Sequence, residues 1–209
     1  MTYADLIAWV KDAVDSTEDR FIGATGLDIC IANAERSIYG QAIIPDNRVT
    51  TTVTLSSGDG SAPLPVNVGA ILQVFQTGAR PLLRRTPSYM REMFWNCAAG
   101  APTDYAWLRS VVASGSTSNT LLFGPVTNGA YTFNVEYVTT DPPSIVTQTA
   151  GTWLSQNQPN VLRKQVLYEA SIFLKMSELM QGYKADADAA LGALTQMLGA
   201  TASSDEEKS

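Results

Sequence analysis

The sequence contains no histidine among its 209 residues. A Ser–His–Asp or Cys–His nucleophile is therefore excluded, as are histidine-ligated zinc and a histidine pH switch. Charged residues are also scarce, at 16% against about 25% in a typical soluble domain. Carboxylate chemistry, lysine chemistry or no chemistry at all remains, and the low charge suggests that another chain covers more of the surface than usual.

Cysteines and long apolar runs are also few. Cys30 and Cys97 are the only cysteines, and they form no CxxC pair. We interpret them as buried free thiols in a reducing compartment, with a single disulfide as the alternative. No apolar run approaches the roughly 20 residues that cross a bilayer, and the N-terminal residues lack a secretory pattern. We therefore expect a soluble protein that is made or kept in a cytoplasm.

The net charge of −6 is spread unevenly along the chain. Residues 1–46 hold three basic and eight acidic side chains, and residues 135–209 hold five and nine. Residues 47–134 hold six basic and three acidic side chains, so the middle third alone is positive. This asymmetry indicates an inserted module with its own surface properties.

Both ends of the chain show helical periodicity. Residues 2–15 predict a helix in which Thr2 and Asp5 have capping-box spacing, and a second helix is expected from Thr25 to Gly40. Pro159 suits the first position of a third helix, and Gly182 is expected to bend or break it. The predicted core-facing side chains of these helices are Leu27, Ile31, Ala34, Ile38, Leu162, Val166, Ala170, Phe173, Leu174, Tyr183, Ala187, Leu191, Leu194 and Leu198.

Between these helices the apolar period changes from 3.6 to 2, which is typical of strands. Alternation is clearest at residues 131–137, and residues 49–55, 71–76, 106–113 and 120–123 also read as strands. Residues 88–97 suit a short helix. A connector rich in Thr, Pro, Ser and Gln follows at residues 139–158. The expected structural anchors are Trp153, Leu154 and Pro159.

The order of these elements predicts an α+β fold rather than α/β, because strands and helices do not alternate. Residues 1–46 and 152–199 are expected to pack as a small helical bundle. Residues 47–140 would form an inserted antiparallel β module, sandwich- or barrel-like. Residues 141–151 would be a connector, and residues 200–209 a C-terminal tail.

Few residues suggest catalysis. Glu92, Asp104 and Glu136 could supply a carboxylate pair, but isolated acids on alternating strands are usually solvated. Gly58 and Gly60 lack the Lys-Ser/Thr and the helix start of a phosphate-binding loop. We therefore predict no catalytic residue, no metal site and no cofactor.

One basic cluster lies near aromatic residues, and it consists of Arg80, Arg84, Arg85 and Arg91. Such a cluster could follow a nucleic-acid backbone or form salt bridges within or between subunits, which we favour because the chain is acidic. Trp95 and Trp107, if exposed on a flat β face, would instead favour a module that binds glycans or another protein. The terminal acids Asp205, Glu206 and Glu207 are read as a solvated tail or a docking arm.

Several local sequence patterns occur in an order that is similar to their order in one known family. These are Ala34-Glu35-Arg36-Ser37-Ile38, Pro63-Leu64-Pro65, Gly78-Ala79-Arg80-Pro81-Leu82, Asn128-Gly129-Ala130-Tyr131, Tyr137 with Pro142-Pro143 and Ile145, Thr152-Trp153-Leu154, Pro159 with Leu162, and Leu167-Tyr168-Glu169-Ala170 with Phe173-Leu174. Asn160 stands where the family usually has Asp. In order and spacing the chain resembles the head-to-tail adaptor (connector) proteins of tailed bacteriophages.

The resemblance implies a structural protein of the virion neck, assembled in the host cytoplasm and without enzymatic activity. It implies a ring, usually of twelve copies, below the portal protein, which extends the DNA channel and carries the tail or its nozzle or stopper proteins. Genomic DNA would pass through the lumen without sequence-specific binding, and no membrane is involved. The C-terminal segment, with Ala200, Asp205, Glu206 and Glu207, becomes a candidate portal-docking arm. The arginine cluster would face neighbouring subunits or the DNA path, and Trp95 and Trp107 the tail or a neighbour.

Overall fold

A computed structural model describes residues 1–14, 26–111 and 117–206 of the chain. The chain forms two compact units. The helical unit consists of Met1–Asn47 and Pro142–Ser209, so both ends of the chain build it. The β unit consists of Arg48–Asp141.

Helices occupy the two ends and strands the middle, which confirms the predicted α+β class. The first segment of the helical unit holds α1 (Tyr3–Val14), α2 (Leu27–Gln41) and a 3₁₀ turn (Pro45–Asn47). The β unit holds β1 (Arg48–Leu55), β2 (Ser61–Leu64), β3 (Val68–Phe75), β4 (Leu83–Arg84), α3 (Pro87–Phe94), β5 (Asp104–Val111), β6 (Thr117–Gly124) and β7 (Tyr131–Thr139). The second segment of the helical unit holds α4 (Trp153–Asn157), α5 (Pro159–Phe173) and α6 (Ser177–Glu206).

The start of α1 is closed by the predicted capping box. The Thr2 amide donates to the Asp5 carboxylate at 2.9 Å, and the Asp5 amide donates to Thr2 Oγ1 at 3.2 Å. In α2 the whole predicted stripe from Leu27 to Ile38 is buried, while the proposed start at Thr25 lies outside the described residues. The buried stripes of α1, α2, α5 and α6 join in one hydrophobic core.

The break in the C-terminal helices lies elsewhere than predicted. Helix α6 runs through Gly182 without interruption, so the expected break at this glycine is wrong. The chain turns instead at Lys175, which adopts a left-handed φ of 56°. The Lys175 amide donates to the Ile172 carbonyl and the Met176 amide to the Ser171 carbonyl, which is the Schellman pattern of a helix end.

The β unit is built from two sheets whose inner faces share one core. One sheet has the strand order β1-β7-β3 and the other β2-β6-β5-β4. All pairs are antiparallel except the short parallel pair of β4 and β5. Buried side chains from both sheets pack together, and the Phe123 and Phe133 rings stack with centroids 5.1 Å apart. The arrangement is a sandwich, and the sheets do not close into a barrel.

The two cysteines have different surroundings. Cys30 is buried on α2, where desolvation raises the pKa of its thiol to about 11. Cys97 is exposed just beyond α3, so the prediction of two buried thiols is wrong for Cys97. Both are free. Within the described ranges, no helix combines the length and the apolar character that a membrane span requires.

The uninterrupted α6 makes Gly182 a site for stabilisation. A Cβ at this position would meet no atom within 4 Å, and glycine inside a helix costs about 0.5–1 kcal/mol relative to alanine. We expect Gly182→Ala to raise the free energy of unfolding by that amount in urea denaturation. Gly58→Ala is the control, because Gly58 has a φ of +92° that disfavours alanine. Its free energy of unfolding should fall by about 1 kcal/mol. A helix that bends at Gly182 would instead give no gain.

Candidate interaction surfaces

The return of the chain to the helical unit is fixed by Asp46. Its carboxylate accepts hydrogen bonds from the Trp153 amide at 3.0 Å and the Leu154 amide at 2.8 Å. These amides open α4, whose first turn also carries a capping box between Thr152 and Ser155. Leu154 is fully buried, Trp153 packs against the same core, and Pro159 begins α5. The three residues expected as anchors thus lie at consecutive helix starts.

A second carboxylate, Glu35 on α2, is buried with only 2% of its surface exposed. It accepts hydrogen bonds from the Ser144 hydroxyl and, at 2.9 Å, from the Ile145 amide. The Tyr39 hydroxyl donates to the Pro143 carbonyl at 2.9 Å. Burial raises the pKa of Glu35, and the nearby Asp46 adds to the effect. Glu35 and Tyr39 therefore bind the connector just where the chain re-enters this unit.

The predicted arginine cluster is divided in the β unit. Arg85 forms an ion pair with Asp104, with Nε 2.7 Å from Oδ1, and its guanidinium lies 5.0 Å from the centroid of the Tyr89 ring. The hydrogen bond to Asp104 raises the pKa of Arg85. Arg80, Arg84 and Arg91 are exposed, and among the described residues they form no ion pair. Arg85 thus fixes the segment before α3, and the other three offer charge to a partner.

Beside α3 lies an open apolar groove of about 240 Å³, here called the α3 groove. It is lined by Gly60, Met90, Arg91, Phe94, Trp95, Leu122, Phe123 and Val126. Helix α3 is capped by Thr86, whose Oγ1 accepts from the Tyr89 amide. Phe94 can lie directly against β6 because Gly124 has no Cβ, which would overlap its ring.

The two candidate tryptophans are placed differently. Trp95 is 86% exposed at the end of α3, at the edge of the α3 groove rather than on a flat β face. Trp107 is half-buried on β5 and packs against the sandwich core. Trp95 can therefore present most of its ring to a partner, whereas the Trp107 side chain contributes mainly to packing.

The three candidate acids do not converge. Asp104 pairs with Arg85 on β5, and Glu136 on β7 accepts from Arg48 at 2.6 Å and from Gln73 at 2.9 Å. The hydrogen bond from Arg48 lowers the pKa of Glu136, the opposite of what a general acid requires. Glu92 is exposed on α3. In the part of the chain that the structure covers, no group of three or more His, Cys, Asp or Glu could hold a metal ion.

The predicted C-terminal tail begins as helix. Ala200, Asp205 and Glu206 belong to α6, and Glu207 lies outside the described residues. The tail is therefore helical further than its small and polar composition suggested, because it continues a helix that is already nucleated and packed.

These features define an α+β protein with an inserted β sandwich, whose candidate sites are open surfaces rather than a catalytic cleft. The family model described as SU10 adaptor protein matches residues 1–206. The chain belongs to this family, a family of phage head-to-tail adaptors. The predicted resemblance is thereby confirmed, and the chain is a phage adaptor protein. No curated protein matches the sequence.

Sequence reasoning missed the α3 groove and the burial of Glu35. The second had a signal: Glu35 follows Ile31 by four residues and precedes Ile38 by three, so it lies on the apolar face of α2. An acid on such a face indicates a buried hydrogen-bonded partner. No sequence signal indicated the groove, because its lining residues come from three segments that are separated along the chain.

The raised pKa of Glu35 predicts a pH-dependent stability. The folded chain holds this proton more tightly than the unfolded chain, so the favourable contribution is present at acidic pH and is lost as the pH rises through the raised value. Glu35→Gln can still accept from the Ile145 amide but does not titrate. We expect its advantage over the native chain in urea unfolding to grow as the pH rises above about 4.3, the ordinary pKa of a glutamate.

Two further variants control this measurement. Asp188→Asn, at an exposed carboxylate of α6, is the control for the removal of one acidic charge. Glu35→Ala should be less stable by about 1–3 kcal/mol, because the Ile145 amide would be left buried without a partner. Parallel curves for Glu35→Gln and the native chain would contradict the assignment.

Proposed function

We propose that this chain forms a ring of twelve copies below the portal protein of a tailed phage. The ring would extend the DNA channel and provide the platform to which the tail, or its nozzle or stopper proteins, attaches. The family match over residues 1–206 carries the proposal. The role is structural, within the virion neck, and requires no catalysis or cofactor.

The distribution of charge supports self-association. The helical unit holds eight basic and fifteen acidic residues, whereas the β unit holds six and five. Arg80, Arg84 and Arg91 are exposed on the β unit, so they are available to pair with acidic side chains of neighbouring copies. Complementary charges of this kind contribute mainly to specificity and association rate. We favour this role over contact with DNA, because the whole chain is acidic and DNA would pass without specific binding.

The C-terminal end of the helical unit is our candidate for the portal contact. Helix α6 runs to Glu206, and Asp205, Glu206 and Glu207 give its end a strongly acidic sequence. We propose that residues 200–207 dock on the portal and that Trp95 contacts the tail side or a neighbouring copy.

The alternative, a β-sandwich module that binds glycans or tail fibres, has less support. It requires aromatic side chains on a flat β face. Trp107 is packed against the core, and Trp95 follows a helix.

Portal binding gives the direct test of the proposed function. The chain is mixed with its portal protein, and association is measured by co-sedimentation and by electron microscopy of the resulting ring. We expect removal of residues 200–209 to weaken portal association at least about tenfold, which is about 1.4 kcal/mol, with an unchanged midpoint of thermal unfolding. Replacement of Asp205, Glu206 and Glu207 by the matching amides separates charge from length. A native chain that binds neither portal nor virions would overturn the proposal.

A further inference from the structure

The turn between α5 and α6 exposes apolar side chains that the helical periodicity does not explain. Ile172 is 44% exposed, Phe173 40% and Leu179 47%. Phe173 was expected to face the core with Leu162 and Val166, but the helix ends at this residue. We call residues 172–179 the hairpin tip.

The hairpin tip is held in one conformation. Lys175 is left-handed, and amides of residues 174–176 donate to carbonyls of residues 170–172 at 2.9–3.1 Å. The Leu179 amide donates to the Met176 carbonyl at 3.1 Å and so continues the turn into α6. A protrusion that is ordered before it binds loses little conformational entropy on docking.

The α3 groove on the β unit has the complementary form. It is concave, its lining is apolar except for Arg91, and its volume of about 240 Å³ accommodates a large apolar side chain. Trp95 extends its apolar surface into solvent. Interfaces of this kind are stabilised by a large side chain buried in a pocket near the centre of the contact.

The charges beside the two surfaces are opposite. Arg91 lines the groove and is exposed, while Arg85 is already occupied by Asp104. Glu178 is exposed in the first turn of α6, directly before Leu179. An apolar protrusion with an adjacent carboxylate thus matches an apolar groove with an adjacent guanidinium.

We propose that the hairpin tip of one copy docks in the α3 groove of the next copy, with Glu178 beside Arg91. The two surfaces belong to different units of the chain, so the contact is head-to-tail and can close into a ring. The inference rests on the proposed ring and names the surfaces that join its subunits.

The exposed native Cys97 provides a direct test. Its amide contacts the Phe94 carbonyl, so it lies next to the groove. Ser177→Cys places a second thiol on the hairpin tip and leaves Ile172 and Leu179 intact. Under mild oxidation of the assembled ring, formed alone or on the portal, we expect a ladder of disulfide-linked oligomers on non-reducing gels. Disulfides require Cβ atoms within about 3.5–4.5 Å, so the reaction reports close approach.

Two controls define the specificity of this crosslink. Cys97→Ser in the Ser177→Cys chain should abolish the ladder. Ala189→Cys, exposed on the same helix but about 15 Å beyond Leu179, should not form one. A ring that assembles without crosslinking Ser177→Cys overturns the inference and leaves the proposed function intact, whereas failure of the native chain to join a ring or portal overturns both.

Charge reversal tests the same contact by a different measurement. Arg91→Glu and Glu178→Arg should each raise the concentration needed for ring assembly, measured by light scattering, about tenfold. Their combination should recover most of the loss. Arg109→Glu, on an exposed residue of β5 outside the groove, is the matched control. Equal effects of Arg109→Glu and Arg91→Glu, or a double variant that is no better than either single one, would contradict the pairing.

Discussion

Two carboxylates, the buried Glu35 and the half-buried Asp46, hold the helical unit together where the chain leaves it and returns. Asp46 lies immediately before the β unit and binds the first amides of α4, while Glu35 binds the connector at Ser144 and Ile145. The whole β unit separates these partners in sequence, so each bond closes a long loop and opposes its entropy. Together they fix the connector and the first residues of α4 against the N-terminal segment of the unit.

This arrangement is costly in itself, because a buried carboxylate is destabilising unless its oxygens are satisfied. Glu35 has a hydrogen-bond donor on each oxygen, and Asp46 binds two amides and the Tyr39 hydroxyl. In return, these hydrogen bonds select one defined geometry for the two segments where the chain leaves and re-enters the helical unit. Apolar residues at the same positions would bury surface equally well but would not select this register.

Periodicity predicted the elements well where local and tertiary preferences agree, as in α1, α2 and β7. It failed at the C-terminal helices, where Gly182 was the expected break and Lys175 is the actual one. A glycine weakens a helix by about 1 kcal/mol, and the packing of Leu191 and Leu194 on the core outweighs this. The arginine cluster was visible in the sequence, but its division by the Arg85–Asp104 pair depends on strand pairing across the β unit.

The position of the few charged residues says more than their low number, which indicated only a covered surface. The acidic excess belongs to the helical unit, and the exposed Arg80, Arg84 and Arg91 belong to the β unit, where Arg91 lines the α3 groove. Contacts between the helical units of two copies would bring acidic side chains together. Such like-charge contacts are unfavourable, and proteins use them to exclude incorrect pairings. Contacts between unlike units satisfy both charges and bury the exposed apolar side chains of each. For the proposed ring, this distribution favours head-to-tail contacts over two-fold pairing, and head-to-tail contacts are the kind from which a ring can close.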